Sequence, residues 1–65
     1  MDDVESLKAQ IRIASTRAID AKMNLHDLSE ELPVNWEKIP EIAQAATDAY
    51  KRLSDLKSRL AALSV

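Results

Sequence analysis

The 65-residue chain contains no cysteine, no glycine and no phenylalanine, and holds one histidine, one tryptophan, one tyrosine and two prolines. Each shortage removes a class of function. Without cysteine there is no disulfide and no thiolate metal site. Without glycine there is no phosphate-cradling loop and no dinucleotide fingerprint. One histidine cannot complete a zinc knuckle or a tetrahedral site within one chain. No apolar run approaches the ~20 residues of a membrane span. The start, "MDDVESLKAQ", is acidic and then amphipathic, without the apolar core of a secretory signal. A cytoplasmic protein that makes no use of a membrane is the expectation.

Charge and motif content narrow the field further. Nine basic and eleven acidic residues are interspersed, for a net charge of −2. Nucleic-acid affinity rests on neutralising phosphate, so this balance argues against a dedicated nucleic-acid binder. No Ser/His/Asp set sits in a recognisable motif, and a catalytic cleft needs more walls than two helices supply. The chain reads as a non-enzyme, with no catalytic residue and no required cofactor. A chain this short makes at most one domain and buries a modest fraction of its surface. With disulfides and thiolate metal sites excluded, oligomerisation is the remaining means of stabilising it.

Two long runs carry the architecture. In the first, Val4, Leu7, Ile11, Ala14, Ala18, Ala21, Leu25, Leu28 and Leu32 recur at spacings that alternate three and four. In the second, Ile39, Ile42, Ala46, Ala49, Leu53, Leu56, Leu60 and Leu63 do the same. Each is a heptad seam on one helix. Alanine, leucine, lysine, glutamate and arginine between the seams suit helix propensity. The reading is helix 1 over about 2–31, a connection over about 32–38 and helix 2 over about 39–63. So short a connection makes the helices antiparallel neighbours. Folding at the break pairs Leu28 with Ile42, Leu25 with Ala46, Ala21 with Ala49, Ala18 with Leu53, Ala14 with Leu56 and Ile11 with Leu60. Large faces small in three layers, and every seam position finds a partner. The fold class is all-α, an antiparallel hairpin. Each seam residue is covered from one side only, so a second hairpin is expected, giving a four-helix bundle as a homodimer.

The break is "LPVNWEKIP". Pro33 cannot continue a helix and pushes Leu32 away from the α region. Asn35 is read as the N-cap of helix 2, its side-chain oxygen accepting a free backbone N–H. That choice puts Val34 and Ile39 at the positions of a hydrophobic staple. Pro40 restricts Ile39, so the turn Trp36–Ile39 reads as 3₁₀-like.

A second stripe on helix 1 comprises Ile19, Met23, His26 and Glu30. His26 and Glu30, at i and i+4, share a face, and a neutral imidazole is a common metal ligand. Two readings stand side by side: a divalent-metal contact, and an interface residue that packs its ring. A two-fold axis near His26 would double the donors to two His and two Glu. Trp36 and Tyr50 are read as core-end and interface contacts in preference to partner hot spots. Lys8, Arg12, Arg17, Lys51, Arg52, Lys57 and Arg59 are read as a solvated face with pairs such as Asp48–Arg52, Lys51–Asp55 and Asp55–Arg59, in preference to a Rop-like RNA-binding face.

The blocks "KMNLHDLSEELP", "NWEKIPEIA" and "DAY", followed by leucine heptads, resemble the small Rop-like family of NifX-associated nitrogen fixation proteins. The resemblance spans residues 21 to 63. It implies a helical hairpin that self-associates and an accessory role in nitrogenase assembly, maturation or protection. Nitrogenase components or their assembly proteins are the implied partners. It also implies a weak divalent-metal contact at the histidine of the "LHDL" block, here His26, with Glu30 as its neighbour.

Overall fold

Two helices make up most of the computed structural model, which describes residues 4–64. Helix α1 runs Val4–Glu31 and helix α2 runs Ile39–Ser64, and the two pack against each other along their length. Residues 2 and 3, which the sequence reading included in helix 1, lie outside the described residues. Neither helix contains glycine, and the only internal proline, Pro40, sits at the start of α2 where a missing N–H costs no helical bond. Glu5 and Glu41 occupy the first turns, where the helix dipole favours an anion.

The connection is tightly bonded. The Leu32–Pro33 peptide bond is cis. The Val34 N–H donates to the Glu31 carbonyl at 2.9 Å, closing a turn at the end of α1. Asn35 then adopts the left-handed region at φ 63°, ψ 24°. Asn is one of the few residues other than glycine that visits this region routinely. The Asn35 Nδ2 donates to Glu31 Oε1 at 3.0 Å, tying the turn back to α1. A single 3₁₀ turn, Trp36–Lys38, follows, closed by the Lys38 N–H donating to the Asn35 carbonyl at 3.0 Å.

This geometry corrects the reading of Asn35 as a side-chain N-cap. A cap residue of that kind sits in the β region with its side-chain oxygen on a free N–H. Asn35 is left-handed and makes no such bond; its backbone carbonyl closes the 3₁₀ turn, and its side chain is a donor to Glu31. The hydrophobic staple that depended on the cap is corrected with it, because Val34 and Ile39 are both exposed. The residue type signalled a special position, but asparagine serves caps and left-handed turns alike.

The apolar core lies toward the open end of the hairpin, away from the connection. Leu7 and Leu56 are each 1% exposed and join Ala14, with Ile11, Leu53 and Leu60 packed around them. Fully burying one leucine side chain contributes about 1.5–3 kcal/mol. Ala18, Leu28 and Ala46 continue the buried line toward the loop. Burial is nevertheless uneven. Leu25, Leu32 and Ile39 are seam residues, yet they are exposed. In the seam register Leu25 lies among Ala21, Ala46 and Ala49, whose methyl groups give it little cover. Leu56 also faces an alanine, but it is enclosed by larger neighbours.

The hairpin is a rod of 47 × 17 × 15 Å, with a radius of gyration of 14.8 Å. A compact domain of this length would have a radius of about 11 Å. Two helices side by side have an interface but little interior.

The backbone at Asn35 yields a direct test. Asn35→Ala should lower the unfolding free energy by about 1–2 kcal/mol, the usual penalty of a Cβ in the left-handed region. Asn35→Gly should be milder, because it loses only the exposed bond to Glu31. Urea unfolding followed by helical circular dichroism ranks the two. Equal losses would assign the effect to the side-chain bond instead of the backbone.

Candidate functional site around His26

His26 lies on the outer face of α1, a little over one turn before its end. Its position follows from the heptad pattern: with Leu25 and Leu28 on the seam, residue 26 turns away from α2. The neighbouring members of the second stripe, Ile19, Met23 and Glu30, are all exposed.

The structure brings the two predicted site residues together. The His26 Nε2 lies 3.4 Å from Glu30 Oε1, and the two side chains are 56% and 69% exposed. A second carboxylate, which the sequence reading did not single out, stands at the other ring nitrogen: His26 Nδ1 lies 3.6 Å from Asp27 Oδ1. Adjacent residues on a helix normally diverge, so spacing gave no reason to select Asp27. The flat imidazole reaches both neighbours because its two nitrogens point in opposite directions. The Ser29 hydroxyl donates to the His26 carbonyl at 2.7 Å, a local bond within the helix.

The chemistry available to this group follows from its geometry. The imidazolium carries an N–H on each side and can face both carboxylates at once. The neutral ring keeps one lone pair, on one nitrogen, for a metal. Asp27 and Glu30 flank opposite nitrogens and do not converge on one point. Among the described residues no group of three or more His, Asp or Glu side chains is arranged to hold a metal ion. One hairpin thus offers one nitrogen and one nearby carboxylate, two donors of the four that a tetrahedral site needs.

The other singled-out residues are dispersed. Trp36 and Tyr50 are exposed, on the loop end and on the flank of α2. Trp36 thus does not bury its ring over the end of the core. Arg17 and Arg52 line an open groove between the helices together with Ile13 and Asp48, remote in sequence from His26. The expected ion pairs Asp48–Arg52, Lys51–Asp55 and Asp55–Arg59 do not close within 4.0 Å; among the described residues the pairs within that distance are those of His26. Asp48 instead accepts a hydrogen bond from the Gln44 amide at 2.9 Å. Fully solvated charges at i, i+4 gain only a few tenths of a kcal/mol from pairing, too little to hold long side chains in place.

The Rop-like family model matches residues 2–65. The chain belongs to the Rop-like family. A UPF0437 protein of Azorhizobium caulinodans is 50% identical to this Rop-like hairpin over 60 residues, which cover 92% of this chain and 87% of the relative. The UPF0437 protein y4xE of Sinorhizobium fredii is 42% identical over 62 residues, or 95% of this chain and 92% of the relative. The UPF0437 protein in the nifX-nifW intergenic region of Frankia alni is 33% identical over 55 residues, 85% of this chain and 67% of the relative. No solved structure matches the Rop-like hairpin. Among the described residues no helix is long and apolar enough to cross a membrane.

The exposure of His26 sets an expectation for stability. A surface substitution away from caps and core usually changes stability by less than about 0.5 kcal/mol. His26→Ala should stay within that limit in thermal and urea unfolding of the purified protein. A loss well above it would give the imidazole a structural role that its surroundings in the hairpin do not account for.

Proposed function

We propose that this protein is a non-enzymatic helical accessory to nitrogen fixation, working in the cytoplasm as a self-associated hairpin that supports nitrogenase assembly, maturation or protection. The observation that carries the reading is the relative named for the nifX-nifW intergenic region of Frankia alni, matched across 85% of this chain. The shape of the molecule supports an interaction role. The side chains offer an open groove between the helices, lined by Ile13, Ala14, Arg17, Asp48, Ala49 and Arg52, a surface suited to contact with another helix. The one-sided seam and the extended rod leave apolar surface on both flanks, Ile13 and Ile19 on α1 and Tyr50 on α2. A second hairpin laid alongside would cover such flanks and complete a four-helix bundle, most simply as a homodimer.

Affinity capture from nitrogen-fixing cells, with mass spectrometry of the recovered proteins, tests the reading. Nitrogenase subunits or their assembly proteins should co-purify, and light scattering of the purified chain at micromolar concentration should give a mass of two chains or more. Recovery of no nitrogen-fixation protein would remove the accessory role. A folded monomer at that concentration would remove the bundle.

A second reading is favoured by the 3.4 Å approach of His26 Nε2 to Glu30 Oε1 on an exposed face. Two such pairs across a dimer axis would supply two imidazoles and two carboxylates, enough to hold zinc, nickel or iron loosely. The ion would be handled at the interface and would not be required for folding. Calorimetric titration with zinc should give binding to the wild type and none to His26→Ala, with helicity unchanged. Equal binding by both proteins, or none by either, refutes the site. An RNA-binding role has less support, since the basic residues share their helix faces with acids and the net charge is −2.

A further inference from the structure

We infer that the loop end of the hairpin, centred on Trp36, is a docking surface for a basic amphipathic segment of a partner protein. Within eight consecutive residues, four large apolar side chains stand exposed: Leu32, Val34, Trp36 and Ile39, with Val34 and Trp36 at 62% and 61%. They are carried on a fixed frame. The bonds from Val34 to Glu31, from Asn35 to Glu31 and from Lys38 to Asn35 hold the turn in one conformation. A preorganised apolar surface loses little conformational entropy on binding, and a central tryptophan is the side chain most often found to dominate an interface.

Charge selects the occupant. Residues 27 to 41 hold five carboxylates, those of Asp27, Glu30, Glu31, Glu37 and Glu41, against one basic side chain, Lys38. The last turn of α1 contains no basic residue. It carries Glu30 and Glu31, although the negative end of a helix dipole disfavours anions by about 0.3–1 kcal/mol each. Glu31 is explained by its bond to Asn35. Glu30 has no such return in the fold beyond its solvated approach to His26. An apolar centre with an acidic rim is complementary to an apolar stripe flanked by lysine and arginine.

The same charges count against other occupants. An anionic membrane surface and a nucleic-acid backbone would both be repelled. A second copy alongside would cover the flanks of the rod. Set loop to loop about a two-fold axis, it would bring the same carboxylates face to face. The inference rests on the accessory reading only in supposing a protein partner, and the two can fail separately.

The test uses the full chain, with Trp36 as the reporter, since it is the only tryptophan. The probes are a synthetic amphipathic helix of leucine and lysine and the same helix with glutamate for lysine. The lysine peptide should shift Trp36 emission to the blue and bind more weakly as salt rises; the glutamate peptide should do neither. Glu37→Lys with Glu41→Lys should weaken the lysine peptide about tenfold or more, a difference of about 1.4 kcal/mol. Asp48→Lys with Asp55→Lys makes the same change in net charge away from the loop and should leave the affinity nearly unchanged. Circular dichroism checks that both variants remain helical. Glu37→Gln with Glu41→Gln, a smaller perturbation of the helix start, should give an intermediate loss.

Equal losses in the two charge-reversed variants, or binding of the glutamate peptide, would overturn the proposal. So would a blue shift on concentrating the protein alone, which would give the surface to a second copy. A blue shift with phosphatidylglycerol vesicles would give it to a membrane and overturn the proposal equally. Nitrogen-fixation proteins captured undiminished by the loop variants would remove the docking surface and leave the accessory role standing. Charge-selective peptide binding with no such capture would support the surface and remove that role.

Discussion

Everything in this molecule depends on the contact between two heptad seams. Its centre is the cluster of Leu7, Ala14 and Leu56, backed by Ile11, Leu53 and Leu60. No disulfide is available as a second source of order, and the side-chain bonds made by Gln10, Thr16, Ser29, Asn35 and Gln44 each stay within one helix or within the loop. Burial of apolar surface therefore acts almost alone against the conformational entropy of the chain. That requirement fixes the antiparallel arrangement, the alanine positions at which the backbones come close, and the placing of nearly every charge on the outside.

The loop end obeys different rules. Its backbone turns through a left-handed asparagine, its apolar side chains face solvent, and two of its carboxylates, Glu30 and Glu31, lie at the negative end of a helix dipole. Local preference and global fold agree along most of both helices and part company here. Disagreement of this kind, in a chain otherwise consistent across levels, is the usual mark of a surface kept for interaction. His26 belongs to the same end, with an acid at each ring nitrogen.

The hairpin was legible because a seam that alternates three and four residues over so long a run has few other solutions. Pro33 and Pro40 bracketed the break, and the short connection dictated antiparallel packing. The two predicted members of the His26 group were legible for a related reason: i, i+4 spacing on a helix guarantees proximity. Asp27 was not, since its approach depends on the reach of an imidazole and not on helical repeat. Asn35 defeated sequence reasoning because its side chain suits two incompatible backbone states, and only the turn around it decides between them. The exposure of Leu25 was hidden for another reason. A seam records which residues face the partner helix, but not whether their neighbours are bulky enough to enclose them.

The position of the core also bears on how the chain reaches its fold. Leu7 and Leu56, the most deeply buried large side chains, stand at the open end, far apart in sequence and remote from the connection. Pairing that spreads outward from the loop first meets exposed Leu32 and Ile39, then one buried leucine, Leu28, and then a layer of alanines that gives little return. The contacts that repay loop closure come late. A half-zipped hairpin therefore has little to hold it, and the strongest cohesion comes only when nearly the whole length has been aligned. The two ends divide the labour of the molecule: the open end supplies most of the cohesion, which leaves the loop end free of that duty.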